Sequence, residues 1–185
     1  MYKKIVIGLL VFAAVFTPMS NVSAKPKATI LIEDLVYTIK NVPVPETISN
    51  NMKGQLIYAE GEGTINCNGV EACTEAGWEG QTVTIKQAFT GTSVAAVVVA
   101  ATETSFKAAT AGKLDLSGEN PAIFFKGKGD GTIECSDGTC DLVMELDTQT
   151  KGGSKLSFSL VAINIDHTSA GIVCDSFGGE ATLTR

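Results

Sequence analysis

At 185 residues, with 44% hydrophobic residues, 19 glycines and five cysteines, the chain has the size and composition of one globular domain. Its 20 acidic side chains outnumber 14 basic ones, a balance that argues against nucleic acid or an anionic membrane surface as partner. A single histidine rules out a multi-histidine metal centre.

The first residues address the chain. Lys3 and Lys4 precede an uninterrupted apolar run from Ile5 to Phe16, Pro18 breaks any helix, and Val22-Ser23-Ala24 sets small residues where a signal peptidase cuts. Residues 1–24 therefore read as a secretory signal peptide and residues 25–185 as a single all-β domain, secreted or periplasmic. No cysteine follows the cleavage site, so no lipid anchor is expected. The leader takes two lysines and no acids with it, leaving 12 basic minus 20 acidic groups, a charge of −8. The longest apolar run beyond it, Val94 to Ala101, fits a strand buried on both faces, so the mature chain is expected to have no transmembrane segment.

Period-two alternation governs the rest. Ile30 and Ile32 share one parity while Leu35, Tyr37 and Ile39 share the other, which predicts a β-bulge or two short strands meeting at Glu33-Asp34. Val42-Pro43-Val44-Pro45 cannot continue a ladder and opens a loop to about Gly54. Val83, Ile85 and Phe89 then alternate with Thr82, Thr84 and Lys86. Ala100 to Ala111 is the one stretch with some helical composition, opposed by its threonines. Leu114 and Leu116 flank Asp115; Leu142, Met144 and Leu146 interleave with acids, and Leu156, Phe158 and Leu160 with serines. Glycine clusters punctuate these segments as in all-β domains, giving a β-sandwich or partly closed antiparallel barrel of about nine to eleven strands.

Two stretches are written alike: GEGTINCNGVEAC from Gly61 to Cys73, and GDGTIECSDGTC from Gly129 to Cys140. In the second, Asp137-Gly138 is a two-residue hairpin turn, because a type I′ turn needs positive φ at both central positions. Ser136 and Thr139 then pair, and Cys135 falls opposite Cys140 at a non-hydrogen-bonded position, where the Cα atoms come about 4.5 Å apart and a disulfide fits. The same register sets Ile133 against Leu142 and Gly131 against Met144 on the core face. In the first stretch Asn68-Gly69 supplies the turn and Cys67 with Cys73 the bridge. The likeness suggests an internal duplication, with pseudo-repeats of about 55–118 and 122–185 whose apolar faces pack together. Both stretches read as structural clasps. Zinc ligands are usually spaced more tightly, and a redox Cys-x-x-Cys is absent. Cys174, in a strand-like segment, has no obvious partner: it reads as a buried free thiol, with a link to another molecule or a different pairing of the five cysteines as the alternatives.

On the other face of the second hairpin the register opposes Glu134 to Asp141 and Asp130 to Glu145, with Lys128 facing Asp147. Four carboxylates there could take calcium, a hard cation that prefers oxygen, or attract a basic partner; the bland alternative is a solvated face with lysines from a neighbouring strand. Catalytic readings are thin. His167 stands alone, with Asp166 pointing away if the segment is a strand and Ser169 too close for a triad. The sequence thus favours a non-enzymatic binding or surface-assembly protein, with no cofactor beyond calcium and with self-association through sheet edges as one route to partners. A calcium- or small-ligand-binding domain comes second and a secreted hydrolase third.

Overall fold

The computed structural model of the chain describes residues 27–49, 52–90, 104–116, 122–136, 139–169 and 171–185. The expected signal peptide, the Val94–Ala101 run and the Asp137-Gly138 turn lie outside the described residues. Eight long strands pair antiparallel: β1 (Thr29–Lys40), β2 (Leu56–Asn66), β3 (Thr82–Thr90), β4 (Thr104–Leu116), β5 (Ile123–Ser136), β6 (Thr139–Thr150), β7 (Lys155–Ile163) and β10 (Ser176–Thr184). They close into a barrel in the order β1-β10-β7-β6-β5-β4-β3-β2. A small hairpin of β8 (Asp166–Thr168) and β9 (Gly171–Val173) stands apart, and single turns of helix, α1 (Glu46–Ser49) and α2 (Glu71–Glu75), lie in the connections after β1 and β2. Ala100–Ala111 is not helical where it is described: Thr104 to Ala111 is strand, paired along β5, so tertiary pairing overrides a weak local preference.

Alternation explains closure. Along β6 every even residue from Cys140 to Thr150 is buried and every odd one exposed. Inward residues such as Ile85, Leu114, Ile133, Leu146, Leu156, Phe158 and Leu160 are all but inaccessible, so the barrel is filled by its own side chains. Among the described residues an apolar cavity of about 20 Å³ lies between Phe89, Leu142, Met144, Ile165, Ile172 and Phe177. That is far below the roughly 300 Å³ at which ligand pockets begin. The buried polar groups are paired. Tyr37 donates to Gln87 Oε1, Gln87 Nε2 donates to Thr110 Oγ1 at 2.8 Å, and Thr110 Oγ1 donates to the Ala88 carbonyl at 2.8 Å.

The parity change in β1 is a bulge. Its pairing with β10 jumps from Ile32↔Ala181 to Leu35↔Gly179, and Asp34 takes a φ of 52° between them. The second hairpin has the register read from its sequence, from Ser136↔Thr139 through Cys135↔Cys140, Ile133↔Leu142 and Gly131↔Met144.

The two similar stretches occupy β2 and β5 and play matched parts. Each Gly-x-Gly faces inward where a Cβ would not fit: at Gly61 it would lie 2.7 Å from the Tyr37 ring, at Gly131 2.3 Å from the Phe106 ring. Each following isoleucine, Ile65 and Ile133, is buried, and each following cysteine is bridged: Cys67 to Cys73 and Cys135 to Cys140. Yet β2 and β5 run in opposite directions around the barrel, so the clasps sit at opposite ends. At one end Cys67, Cys73, Val70 and Trp78 cap the core; at the other, Ile165 and Ile172 of the β8–β9 segment do. The strands form one continuous cylinder rather than two sheets packed face to face.

Closure also changes what the sheet can do. Every barrel strand is paired on both sides, so the barrel as a whole presents no free edge strand for another chain to extend. Among the described residues the two-stranded β8–β9 sheet is where free strand edges remain.

Candidate functional site

With the interior filled, chemistry and recognition fall to the outer wall and the ends. The four carboxylates singled out above do share the wall of β5 and β6, with Glu134 opposite Asp141 and Asp130 opposite Glu145. They do not converge: among the described residues no three acidic, histidine or cysteine side chains are grouped closely enough to hold a metal ion. Their neighbours relieve the repulsion. Lys107 of β4 pairs with Asp130, Ser159 Oγ donates to Glu145 at 2.6 Å, and Asp141 accepts the Asn164 N–H at 3.0 Å. Lys128 faces Asp147 as expected, but Asp147 is bonded by Lys155 at 2.9 Å and by Ser157 at 2.8 Å, which hold its carboxyl below the usual range.

His167 is exposed on β8, and its backbone N–H donates to Asp166 Oδ1. Among the described residues no hydrogen bond joins its ring to Ser169 or Cys174. Cys174 is the free cysteine, half-buried; burial, and then the charge of Asp175, push its thiol up, away from the thiolate a nucleophile needs.

The hairpin carboxylates turn out to be part of a larger pattern that runs across strands and so is invisible along the chain. Cross-strand neighbours Asp130, Glu145, Ser159 and Glu180 form one row over β5, β6, β7 and β10, ending against the β1 bulge that carries Asp34. Directly beside it runs an apolar row, Val143↔Val161↔Gly178↔Val36, with Ile163 adjoining. These four aliphatic side chains are 41–66% exposed, against a wall that is otherwise mostly polar. Sequence reading missed this row because each member is a single apolar residue at an outward position of its own strand.

A second feature lies on the neighbouring sector. A groove of about 750 Å³ crosses β4, β5 and β6, with Met52, Ala109 and Ala111 among its lining and Lys53, Lys126, Lys128 and Lys155 around it. Among the described residues Lys53, Lys126 and Lys128 make no ion pair.

Above the groove, α1 and its flanking loop cover part of the wall: Ile48, Val44 and Met52 pack on Tyr58 and Ala88. Tyr58 Oη donates to Glu60 at 2.8 Å, and Lys40 and Lys86 approach the same carboxylate at 3.9 and 3.5 Å. Burial first, then the hydrogen bond to Glu60 and that group's charge, push Tyr58 up to about 12, while burial raises Tyr37 well above 10. A phenol whose folded pKa exceeds its unfolded value near 10 contributes stability that is complete below about pH 10 and lost as pH rises through the folded pKa. Denaturant midpoints are therefore expected to hold to about pH 10 and fall above it. Tyr58→Phe should flatten the part of that fall nearest pH 12; an unchanged alkaline profile would contradict the assignment.

The fold and surface together define a class: a closed, eight-stranded antiparallel barrel, clasped by two disulfides, with a packed interior and a polar outer wall. Charges point outward from β4, β5, β6 and β10, the inverse of a lipid-facing barrel. Among the described residues no helix is long and apolar enough to cross a membrane. No protein-family model matches the chain, and neither a curated protein nor a solved structure is significantly similar to it.

Proposed function

We propose that this is a secreted or periplasmic, non-enzymatic binding or surface-assembly protein in which the barrel is a rigid scaffold and the outer wall is the working surface. The observation that carries this reading is the exposed row Val143, Val161, Val36 with Ile163, bordered by carboxylates. An apolar strip inside a polar rim is the anatomy of a protein-binding surface. The interior supports it, since the apolar cavity among its described residues is only about 20 Å³, and the basic, apolar leader and two disulfides suit an oxidising compartment.

Retention of the mature protein in its native envelope or surface fraction tests the reading. Val36→Glu with Val161→Glu, two changes at exposed positions, should release the protein into the soluble fraction while its circular dichroism and Tm stay unchanged. His167→Ala should leave retention intact. Release by His167→Ala, with the valine variant still retained, would put a catalytic reading first.

A further inference from the structure

The wall and the groove match each other. The wall presents an apolar strip (Val36, Val161, Val143) beside an acidic row (Asp34, Glu180, Glu145, Asp130), and the groove presents apolar lining (Met52, Ala109, Ala111) beside a basic set (Lys53, Lys126, Lys128), its lining carboxylate, Asp147, being paired with Lys155. We propose that the acidic apolar wall of one copy docks into the lysine-lined groove of the next, so that the chain assembles head to tail. The inference rests on the binding and assembly reading above and names its partner as a second copy.

Three observations carry it. First, the two surfaces are complementary in both respects that matter at an interface, apolar against apolar and acid against base. Second, the charges are available: Lys53, Lys126 and Lys128 on one side and Asp34 and Glu180 on the other make no ion pair among the described residues. Third, the surfaces extend in different directions around the cylinder. The groove spans β4, β5 and β6, whereas the apolar strip runs over β6, β7, β10 and β1 and the acidic row from Asp130 on β5 to Asp34 on β1, so the two adjoin at β5 and β6. The far part of the wall, with Val161, Val36, Glu180 and Asp34, lies clear of the groove and can engage a second neighbour. Contacts of this heterologous kind do not pair off as a two-fold dimer does. They close into a ring if the rotation allows it and otherwise continue as a filament. Closure of the barrel is consistent with this mode, since whole walls rather than sheet edges must meet.

Ionic strength has a defined effect. The mature charge of −8 repels copies at long range, whereas the contact pairs act at short range. At about 0.1 M salt the Debye length is about 10 Å, enough to screen much of the first but little of the second; at about 1 M it is about 3 Å and the pairs weaken too.

Analytical ultracentrifugation of the mature protein over a concentration series tests the proposal. At about 0.1 M salt the wild type should form species larger than a dimer, shifting toward monomer at about 1 M. Lys53→Gln with Lys126→Gln, or Asp34→Asn with Glu180→Gln, should each weaken association about tenfold. The decisive arm mixes the two variants: each retains the surface the other lacks, so the mixture should form a discrete one-to-one dimer that neither forms alone. A wild type that stays monomeric at all concentrations overturns the proposal, as does association that survives both double substitutions. If the wild type is monomeric yet is still retained in its native fraction through Val36 and Val161, the binding reading stands with a different occupant. If retention is lost as well, both fall.

Discussion

Alanine at Gly129 is expected to be among the most damaging single substitutions in this chain. A Cβ there would lie 1.8 Å from the Glu145 carbonyl oxygen and 2.8 Å from its carbon, and both are backbone atoms of β6 that cannot swing aside as a side chain would. At Gly127 the same atom would lie 2.0 Å from the Asp147 carbonyl oxygen. Alternate glycines on the inner face of β5 thus let the sheet fold sharply at the β5–β6 seam, as glycine does at barrel corners. Relief requires the two strands to separate, with strain at or above the roughly 3 kcal/mol of a severe overpacking change. For a domain of this size that corresponds to a loss of about 6–12 °C in Tm. Lys128→Ala, between the two glycines but facing outward, serves as the control and should change Tm little. Equal Tm values for Gly129→Ala and wild type in calorimetry would show that the seam is looser than described.

What could be read along the chain, and what could not, follows from the range of the determining interactions. The β1 bulge was legible because a parity change between Ile32 and Leu35 is local. The register of β5 on β6 was legible because a two-residue turn leaves one alignment in which Cys135 meets Cys140, and every opposed pair followed, down to Lys128 against Asp147. Closure was not legible. It depends on β1 meeting β10, Thr29 opposite Thr184, almost the whole chain apart. A sandwich and a barrel use the same inward alternation, so the sequence left both open.

The carboxylate face shows the same division. Reading β5 and β6 alone gave four acids on one surface and suggested a cation. The lysine that answers Asp130 comes from β4 and the serine that answers Glu145 from β7, both distant in sequence. The apolar row is the extreme case, since its members belong to four strands and only cross-strand pairing aligns them. The repeated cysteine motif, by contrast, was legible as structure. Its glycines face a crowded interior and its isoleucines fill it. The likeness between β2 and β5 is accounted for by the demands on a strand that ends in a clasp, although the loops they close differ, one helical and one a tight hairpin.

Removing both clasps should be the largest perturbation of all that leaves the strands themselves unaltered. Each bridge closes a short loop, with separations of 6 and 5 residues, and the chain-entropy model assigns about 2 kcal/mol to each, or roughly 4 kcal/mol together. That predicts a fall in Tm of about 8–16 °C on full reduction, measured by calorimetry with and without reductant. The two should not contribute equally. Cys67 and Cys73 are buried with Val70 and Trp78 at one end of the core, and the Cys67 N–H is bonded to Glu79 Oε2 at 2.7 Å, so losing that bridge also loosens a cap. Cys135 is only partly buried on a hairpin that its own ladder holds in register, so Cys135→Ser with Cys140→Ser should cost less than Cys67→Ser with Cys73→Ser. Thiol titration supplies the independent check. Denatured without reductant, the protein should release one thiol, Cys174; in the native state that thiol should react slowly, because burial raises its pKa. Three thiols, or a bridge to Cys174 in non-reducing peptide maps, would undo the pairing, and with it the register from which both rows of the outer wall are drawn.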